Sequence, residues 1–202
     1  MGLLDVILGR TKPVEANLDK LFALPGARIT LEASEGLVPT GQAGVCFKPS
    51  AGQGFAETEQ EIAGMLAGAS SGASAKLSEE ADEYGYRWVV VGDADFDDLV
   101  THAHFVNSTL REHGYGPQLL CSVFGFAPGP APGSAPGRSG SVRASTYLVY
   151  LYKRGTFYPF VPAGAERRDN EAELRLKAEL GKDLSVEPDL ERWFPLWGLP
   201  VY

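Results

Sequence analysis

Hydrophobic and polar positions divide the chain into alternating strand and helix segments. Runs rich in β-branched and aromatic residues, or with apolar residues at every second position, predict strands. Six such runs lie at 28–33, 43–48, 86–92, 118–127, 146–152 and 157–161. Apolar residues at helical spacing predict helices at 3–8, 15–24, 55–66, between Asp95 and Gly114, and at 170–180. Strict βαβ alternation is absent, which favours an α+β fold with one mainly antiparallel sheet of five to six strands covered by helices.

The helix after the 86–92 strand has the clearest signals. Asp95 can cap its first turn, and Gly114 can end it. Asn107 falls within the apolar face, so we expect it to have a hydrogen-bond partner if it is buried. Phe105 falls on the opposite side, where it is expected to be exposed. The apolar face is formed by Phe96, Leu99, Val100, Ala103, Val106 and Leu110.

Proline and glycine residues give further boundaries. Pro25 and Gly26 are expected to end the 15–24 helix, so that 28–33 forms a separate strand. Gly155 can take a positive φ and close a turn at 153–156. Pro159 cannot donate a backbone hydrogen bond, so its strand is expected at an edge of the sheet.

The 202 residues are predicted to form a single domain over 1–202. Two segments rich in small residues, near 68–78 and 128–145, are expected to be flexible. The second joins two short apolar strands, so it is interpreted as an excursion within one domain and not as a linker between two. The aromatic residues Trp193, Phe194 and Trp197 are expected to lie across the core.

Charge and cysteine content narrow the class of protein. The formal net charge is −8, which disfavours nucleic acid as the main partner. There is no apolar run long enough for a transmembrane helix and no secretory signal pattern, so a cytoplasmic location is expected.

Cys46 and Cys121 are interpreted as buried free thiols. Residues 1–10 can pack on the core or touch a membrane surface peripherally, and both alternatives stay open.

A search for catalytic and metal-binding motifs gives no site. The sequence has no phosphate-binding glycine loop and no HExxH motif. A GxSxG match at 68–72 lacks the preceding strand that a nucleophile elbow requires. His102, His104 and His113 lie on one predicted helix at spacings that do not converge on one ion. We therefore predict no catalytic residue, no cofactor and no metal site.

The remaining chemical feature is the 147–170 segment, an apolar hairpin with four nearby cations. We predict that it binds a protein partner, with aromatic anchors beside the charges. The predicted partner-binding residues are Tyr152, Lys153, Arg154, Phe157, Tyr158, Arg167, Arg168, Asp169 and Asn170. Two alternatives stay open: the cations pair with the protein's own acidic groups, or Arg167, Arg168 and Asp169 belong to an enzyme or small-ligand site. Charges at a turn are usually worth under about 0.5 kcal/mol, so Lys153→Glu with Arg154→Glu is expected to leave the fold intact.

Several long segments resemble one family. They are MGLLDVILGRTKP, GYGPQLLCSVFGF, YLVYLYKRGTFYPF, ERRDN and VEPDLERWFPLWG. In these segments the chain is similar to the PspA-associated PspAB proteins. The resemblance implies a cytoplasmic, non-catalytic adaptor or regulator of the PspA phage-shock response to envelope stress. It also implies a PspA-family protein or an HtpX-type membrane protease as partner. The order of elements is loosely similar to secretion-chaperone folds.

Overall fold

The computed structural model describes residues 17–48, 76–129 and 145–202, together with Gln60 and Gly64. The predicted helix at 3–8 and most of the predicted helix at 55–66 lie outside the described residues. So do the GxSxG match and most of the two segments expected to be flexible.

The described residues contain one open sheet of six strands, and every neighbouring pair is antiparallel. The strand order is β2-β3-β1-β4-β5-β6, so the first strand in the chain lies at the centre. The strands are β1 (Leu37–Phe47), β2 (Lys76–Ala81), β3 (Arg87–Gly92), β4 (Leu119–Pro128), β5 (Thr146–Leu151) and β6 (Thr156–Phe160). The predicted α+β class with an antiparallel sheet is confirmed.

Three α-helices occur in the described part of the chain: α1 (Leu24–Glu35), α2 (Phe96–Leu110) and α3 (Asn170–Leu180). The carboxylate of Asp95 caps α2 by accepting hydrogen bonds from the backbone N–H groups of Asp97 and Asp98. Asp169 caps α3 in the same way by accepting from Ala172. A 3₁₀ helix, Leu18–Ala23, runs directly into α1.

The predictions for the α2 face are largely confirmed. Its six apolar residues are all buried. Asn107 is fully buried and donates from Nδ2 to the Ala103 carbonyl and to Ser122 Oγ, both at 2.8 Å. The prediction that Phe105 is exposed is wrong, because its ring is half-buried and packs against the core.

The predicted break at Pro25 and strand at 28–33 are wrong. Pro25 lies in the first turn of α1, where its missing N–H group costs no helical hydrogen bond. The helix then continues to Glu35 and ends at Gly36, which has φ 69°. The residues that α1 buries are three or four positions apart: Leu24, Ala27, Leu31 and Glu35. Ile29, which would share a face with Leu31 in a strand, is 61% exposed in the helix, whereas Leu31 is fully buried.

The edge strand β2 was not predicted. Its sequence, KLSEEA, is polar and contains only one large apolar residue, Leu77. It pairs along its whole length with β3, from Lys76 opposite Gly92 to Ala81 opposite Arg87. The end of the 68–78 segment therefore belongs to the sheet. Exposed charges on such an edge discourage pairing with another chain.

Alternation along the strands gives the sheet two apolar faces. The first carries residues such as Val45, Phe124 and Tyr150 and is covered by the three helices. The second carries Trp88, Val123, Tyr158 and others, and no α-helix of the described residues contributes to its apolar cluster. The C-terminal segment 187–202, called here the tail, covers it instead. Two separate cores therefore lie on either side of one sheet.

Two glycines on the central strands let the tail lie close to the sheet. A Cβ atom at Gly44 would lie 2.9 Å from Cγ2 of Val201 and 3.0 Å from the Trp88 ring. At Gly125 it would lie 3.2 Å from Cγ1 of Val201 and 2.5 Å from Thr40 Oγ1. Contacts this short require a neighbour to move. Val201, which is fully buried, therefore occupies space that the two glycines leave open.

The opposite edge of the sheet is closed by two features. Pro159 lies in β6, which confirms the prediction of an edge strand. Val186 forms a parallel bridge with Phe157, in which Phe157 N–H donates to the Ser185 carbonyl and Glu187 N–H donates to the Phe157 carbonyl. The predicted turn is present with Gly155 at φ 65°. The tail thus begins as a short addition to this edge before it crosses the second face.

Candidate functional site

An apolar groove of about 570 Å³ opens where the tail leaves part of the second face uncovered. Cys46, Trp88, Cys121 and Tyr158 form its floor, and the β2–β3 turn and tail residues 194–197 form its walls. We call it the tail groove. Two exposed aromatic side chains stand at its rim, Tyr84 with 57% and Phe194 with 56% of their surface accessible.

The β2–β3 turn is held in shape by one carboxylate. Asp82 accepts hydrogen bonds from the backbone N–H groups of Tyr84 and Tyr86, both at 2.9 Å. Its second oxygen accepts from the indole Nε1 of Trp88 at 3.0 Å. One side chain thus fixes both a wall and part of the floor. The neighbouring Glu83 carboxylate raises the pKa of the Tyr84 phenol, and Glu166 adds to the effect.

The tail is anchored by a buried carboxylate. The Glu187 side chain is fully buried and accepts from Arg154 Nε and Nη2 and from Thr156 Oγ1. The hydrogen bond from Arg154 lowers the pKa of Glu187 to about 2. The Glu187 carbonyl also accepts from the indole of Trp193, 3.1 Å away. Glu187 therefore connects the β5–β6 turn to the segment that covers the second face.

A second buried ion pair holds α3 to the tail. Arg168 contacts both carboxylate oxygens of Glu173, at 3.0 Å and 2.9 Å. It also donates to the Trp193 carbonyl and lies over the Phe160 ring, 5.4 Å from its centroid. Glu173 accepts a further hydrogen bond from Val161 N–H. Burial raises the pKa of Glu173, although Val161 N–H and Arg168 act in the opposite direction.

The predicted partner-binding residues do not form one surface. Tyr152, Phe157 and Tyr158 are buried, and the first two face the helices while Tyr158 faces the tail. Their rings are therefore part of the two cores and are not exposed anchors. Tyr158 contributes to the groove floor, and its hydroxyl donates to the Phe194 carbonyl at 2.8 Å.

The charged members of the predicted set have different roles. Lys153 and Arg167 are exposed. Arg154 and Arg168 form the two ion pairs described above. These two cations therefore follow the alternative stated in the sequence analysis, in which they pair with the protein's own acidic groups. Asp169 caps α3, and Asn170 lines a cavity of about 310 Å³ beside Arg168 and Glu173.

Arg154 differs from an unpaired turn charge, because its guanidinium forms an ion pair with Glu187. A glutamate at this position would face the fully buried carboxylate of Glu187. Two carboxylates at that distance repel, and the buried one loses its partner. Lys153→Glu alone remains suitable for testing whether the hairpin tip, the turn between β5 and β6, binds a partner. Lys153 is exposed and makes no ion pair within the described residues.

The histidines of α2 have separate surroundings. His102 lies 3.6 Å from Asp93, and His104 lies 3.7 Å from Asp19 and packs against the Phe22 ring. His113 contacts the Thr109 carbonyl through Nδ1 at 2.8 Å. Within the described ranges, no three His, Cys, Asp or Glu side chains are placed to hold a metal ion.

The groove was not predicted because its parts are distant in sequence. Cys46, the turn at 82–86, Cys121 and residues 194–197 meet only through the strand order. One signal was available: the tail carries Trp193, Phe194 and Trp197 in a segment without helix or strand periodicity. These residues were expected to lie on the core, and Trp193 does, whereas Phe194 is exposed at the groove rim.

An open six-stranded sheet with helices on one face and a C-terminal tail on the other, bordering an apolar groove, defines an α+β protein. No helix of the described part is long and apolar enough to cross a membrane. A family model described as PspA associated protein B matches residues 1–201, and the chain belongs to this family, PspAB. No curated protein and no solved structure matches the chain. The family is named for an association with PspA.

Proposed function

We propose that the protein is a non-catalytic PspA-associated adaptor that binds an apolar segment of a PspA-family partner in the tail groove. The observation that carries this proposal is the groove itself, an apolar concavity with exposed Tyr84 and Phe194 at its rim. Exposed aromatic residues beside a hydrophobic pocket are the usual energetic centre of a protein interface. The family name supplies the candidate partner.

The size of the groove suits side chains and not a folded domain. A volume of about 570 Å³ accommodates several apolar side chains of one peptide segment. An amphipathic helix that presents residues at i, i+3 and i+4 is a common occupant of such grooves. We therefore expect the partner to contribute the apolar face of a single helix.

The hairpin tip extends this binding surface in the proposal. Leu151 ends β5 and lines the groove, and the exposed Lys153 follows in the turn. A cation at the rim of an apolar groove favours partners with an acidic group next to the apolar face. Arg154 has a different role, since it holds Glu187 in place.

Titration of purified PspA-family protein into the wild type and two variants tests the groove. Phe194→Ser removes the rim aromatic, and Ile29→Ser removes an equally exposed apolar side chain from α1, on the helix-covered side. A loss of about tenfold in affinity is expected for Phe194→Ser, because an aromatic side chain that becomes buried in an interface is worth about 1–2 kcal/mol. Ile29→Ser is expected to bind like the wild type. Equal affinities for all three proteins would refute the groove assignment.

The tip is tested separately by Lys153→Glu, with the exposed Lys182→Glu as its matched control. Weaker binding by the first variant alone, with a steep dependence on salt, supports a contribution of the tip. Replacing PspA by the soluble part of an HtpX-type protease, or by anionic vesicles, examines the other partners implied by the resemblance. Binding to one of these that survives Phe194→Ser, with none to PspA, would contradict the proposal.

A further inference from the structure

The two cysteines of the chain face each other across neighbouring strands. Cys46 of β1 and Cys121 of β4 are paired in the sheet register. Directly opposed residues of an antiparallel pair have Cα atoms about 4.5–5.5 Å apart, a separation that a disulfide can span. Their side chains lie in the same apolar cluster on the second face, and the Cys121 thiol is close enough to raise the pKa of Cys46. Both are free in this structure.

Both thiols can be reached from outside despite their burial. Cys46 is 3% and Cys121 6% exposed, values typical of inert core cysteines. Unlike such cysteines, both form part of the floor of the tail groove. The groove, with a volume of about 570 Å³, has room for a small reagent beside the two residues. An apolar, uncharged compound is favoured there, because Trp88 and Leu120 lie alongside.

We propose that Cys46 and Cys121 form a reversible oxidation site, in which a small organic disulfide entering the tail groove converts the two thiols to a disulfide between β1 and β4. The site needs only the groove and the strand register, and it does not depend on a protein partner.

The reaction consists of two thiol–disulfide exchanges. The thiolate of Cys121 attacks one sulfur of the reagent, breaks its S–S bond and expels one thiolate, leaving a mixed disulfide on Cys121. The Cys46 thiol then loses its proton to the expelled thiolate and attacks Cys121 Sγ, which expels the second half of the reagent as a thiolate. This thiolate takes up from solvent the proton that Cys121 had released. One reagent disulfide is reduced to two thiols while one protein disulfide forms.

The order of attack follows from the surroundings of the two thiols. The hydrogen bond with Cys121 and burial raise the pKa of Cys46, so its thiolate is scarce before the first exchange. Cys121 is the more exposed of the two. Once Cys121 carries the reagent, Cys46 is in contact with the mixed disulfide and reacts within one molecule, which increases its rate.

Incubation of the folded protein with hydroxyethyl disulfide, followed by acid quench and intact-mass analysis, tests the site. The wild type is expected to lose two hydrogen atoms, remain a single chain, and yield a Cys46–Cys121 cross-linked peptide that dithiothreitol releases. Cys46→Ala is expected to stop with one hydroxyethylthio group on Cys121. Cys121→Ala is expected to react severalfold more slowly, because burial still raises the pKa of the remaining thiol, Cys46.

Two results would overturn the proposal. One is a folded wild type that keeps both thiols during a period in which the urea-unfolded chain oxidises completely. The other is a wild type that accumulates mixed disulfides without forming the internal bond. Both outcomes are read from the wild type alone, so they do not depend on the folding of the alanine variants. Circular dichroism and urea unfolding show whether each variant retains the native sheet.

Discussion

Replacement of Glu187 by glutamine is expected to reveal how the tail is held. The carboxylate is buried and receives hydrogen bonds from Arg154 and Thr156. Glutamine has nearly the same volume and one acceptor oxygen, but it carries no charge. The variant therefore removes the ion pair without opening a cavity, and Arg154, whose side chain is 40% exposed, can be solvated by water.

The magnitude follows from the pKa of Glu187, about 2 in the folded protein against an ordinary value of 4.5. Each pKa unit of this shift corresponds to about 1.4 kcal/mol, so the charge of Glu187 stabilises the folded protein by roughly 3 kcal/mol at most. Solvent around the exposed Arg154 screens part of it, so we expect Glu187→Gln to lower the free energy of unfolding by about 2 kcal/mol at pH 7.

The same pKa fixes the pH dependence. Because the folded-state value is depressed, the stabilisation is complete above about pH 4.5 and is lost as the pH falls towards 2. Urea unfolding of wild type and variant at several pH values measures the difference between them. That difference is expected to be largest near neutrality and to shrink progressively below pH 4.5. Glu191→Gln, an exposed change in the same tail, is the control and should stay within about 0.5 kcal/mol.

Two results would refute this reasoning. One is a difference between wild type and Glu187→Gln below about 0.5 kcal/mol at pH 7, as found for many surface pairs. The other is a large difference that stays constant down to pH 2. In that case the loss would come from packing or from neutral hydrogen bonds, and the charge of Glu187 would contribute nothing.

Three further changes test other parts of the structure by urea unfolding. Glu173→Gln should show the opposite pH trend: because burial raises the pKa of Glu173, wild type should lose stability relative to the variant as pH rises through that pKa. Gly44→Ala should cost about 1–3 kcal/mol, because the new methyl group meets Val201; Val201→Ala in the same chain should recover part of this loss. Asn107→Ala should cost about 1–3 kcal/mol by leaving the buried Ser122 hydroxyl without its partner, whereas Asn107→Leu with Ser122→Ala should cost less. If the single and double variants at Gly44 and Val201, or at Asn107 and Ser122, lost the same free energy of unfolding, the contacts assigned to these pairs would be contradicted.

Local sequence signals predicted the parts of the fold that depend on neighbouring residues. The Asp95 cap of α2, the turn at Gly155 and the edge position of Pro159 all follow from side-chain and backbone chemistry within a few residues. The predicted number of five to six strands agrees with the structure partly by chance, because the 28–33 segment is helical and β2 was missed.

Both errors have the same physical origin. The 28–33 segment alternates in polarity like a strand, but Pro25 begins a helix there and the contacts of Leu24, Ala27 and Leu31 with the core decide the outcome. The segment KLSEEA has little strand propensity and is held by its pairing with β3. In both cases tertiary contacts outweigh the local secondary-structure propensity, and these contacts cannot be read from a single sequence.

The candidate site was less accessible to prediction than the fold. The predicted hairpin set mixed exposed charges with core aromatics, because alternation shows that Phe157 and Tyr158 point in opposite directions but not that both directions are buried. A sheet with its second face covered by a tail removes the exposed side that polar residues normally mark. Likewise, Cys46 lies opposite Cys121 only because of the register of two strands that are far apart in sequence.

The position of Val201 has a consequence for synthesis of the chain. All six strands precede the tail in sequence, yet Val201 packs against glycines of the two central strands. A ribosome therefore releases the six described strands before the segment that shields the second face of their sheet has emerged. During that interval Trp88, Val123 and Tyr158 form an open apolar surface, and such surfaces promote aggregation of incompletely folded chains. The speed at which the tail docks thus helps to determine how much of the newly made protein reaches its native state.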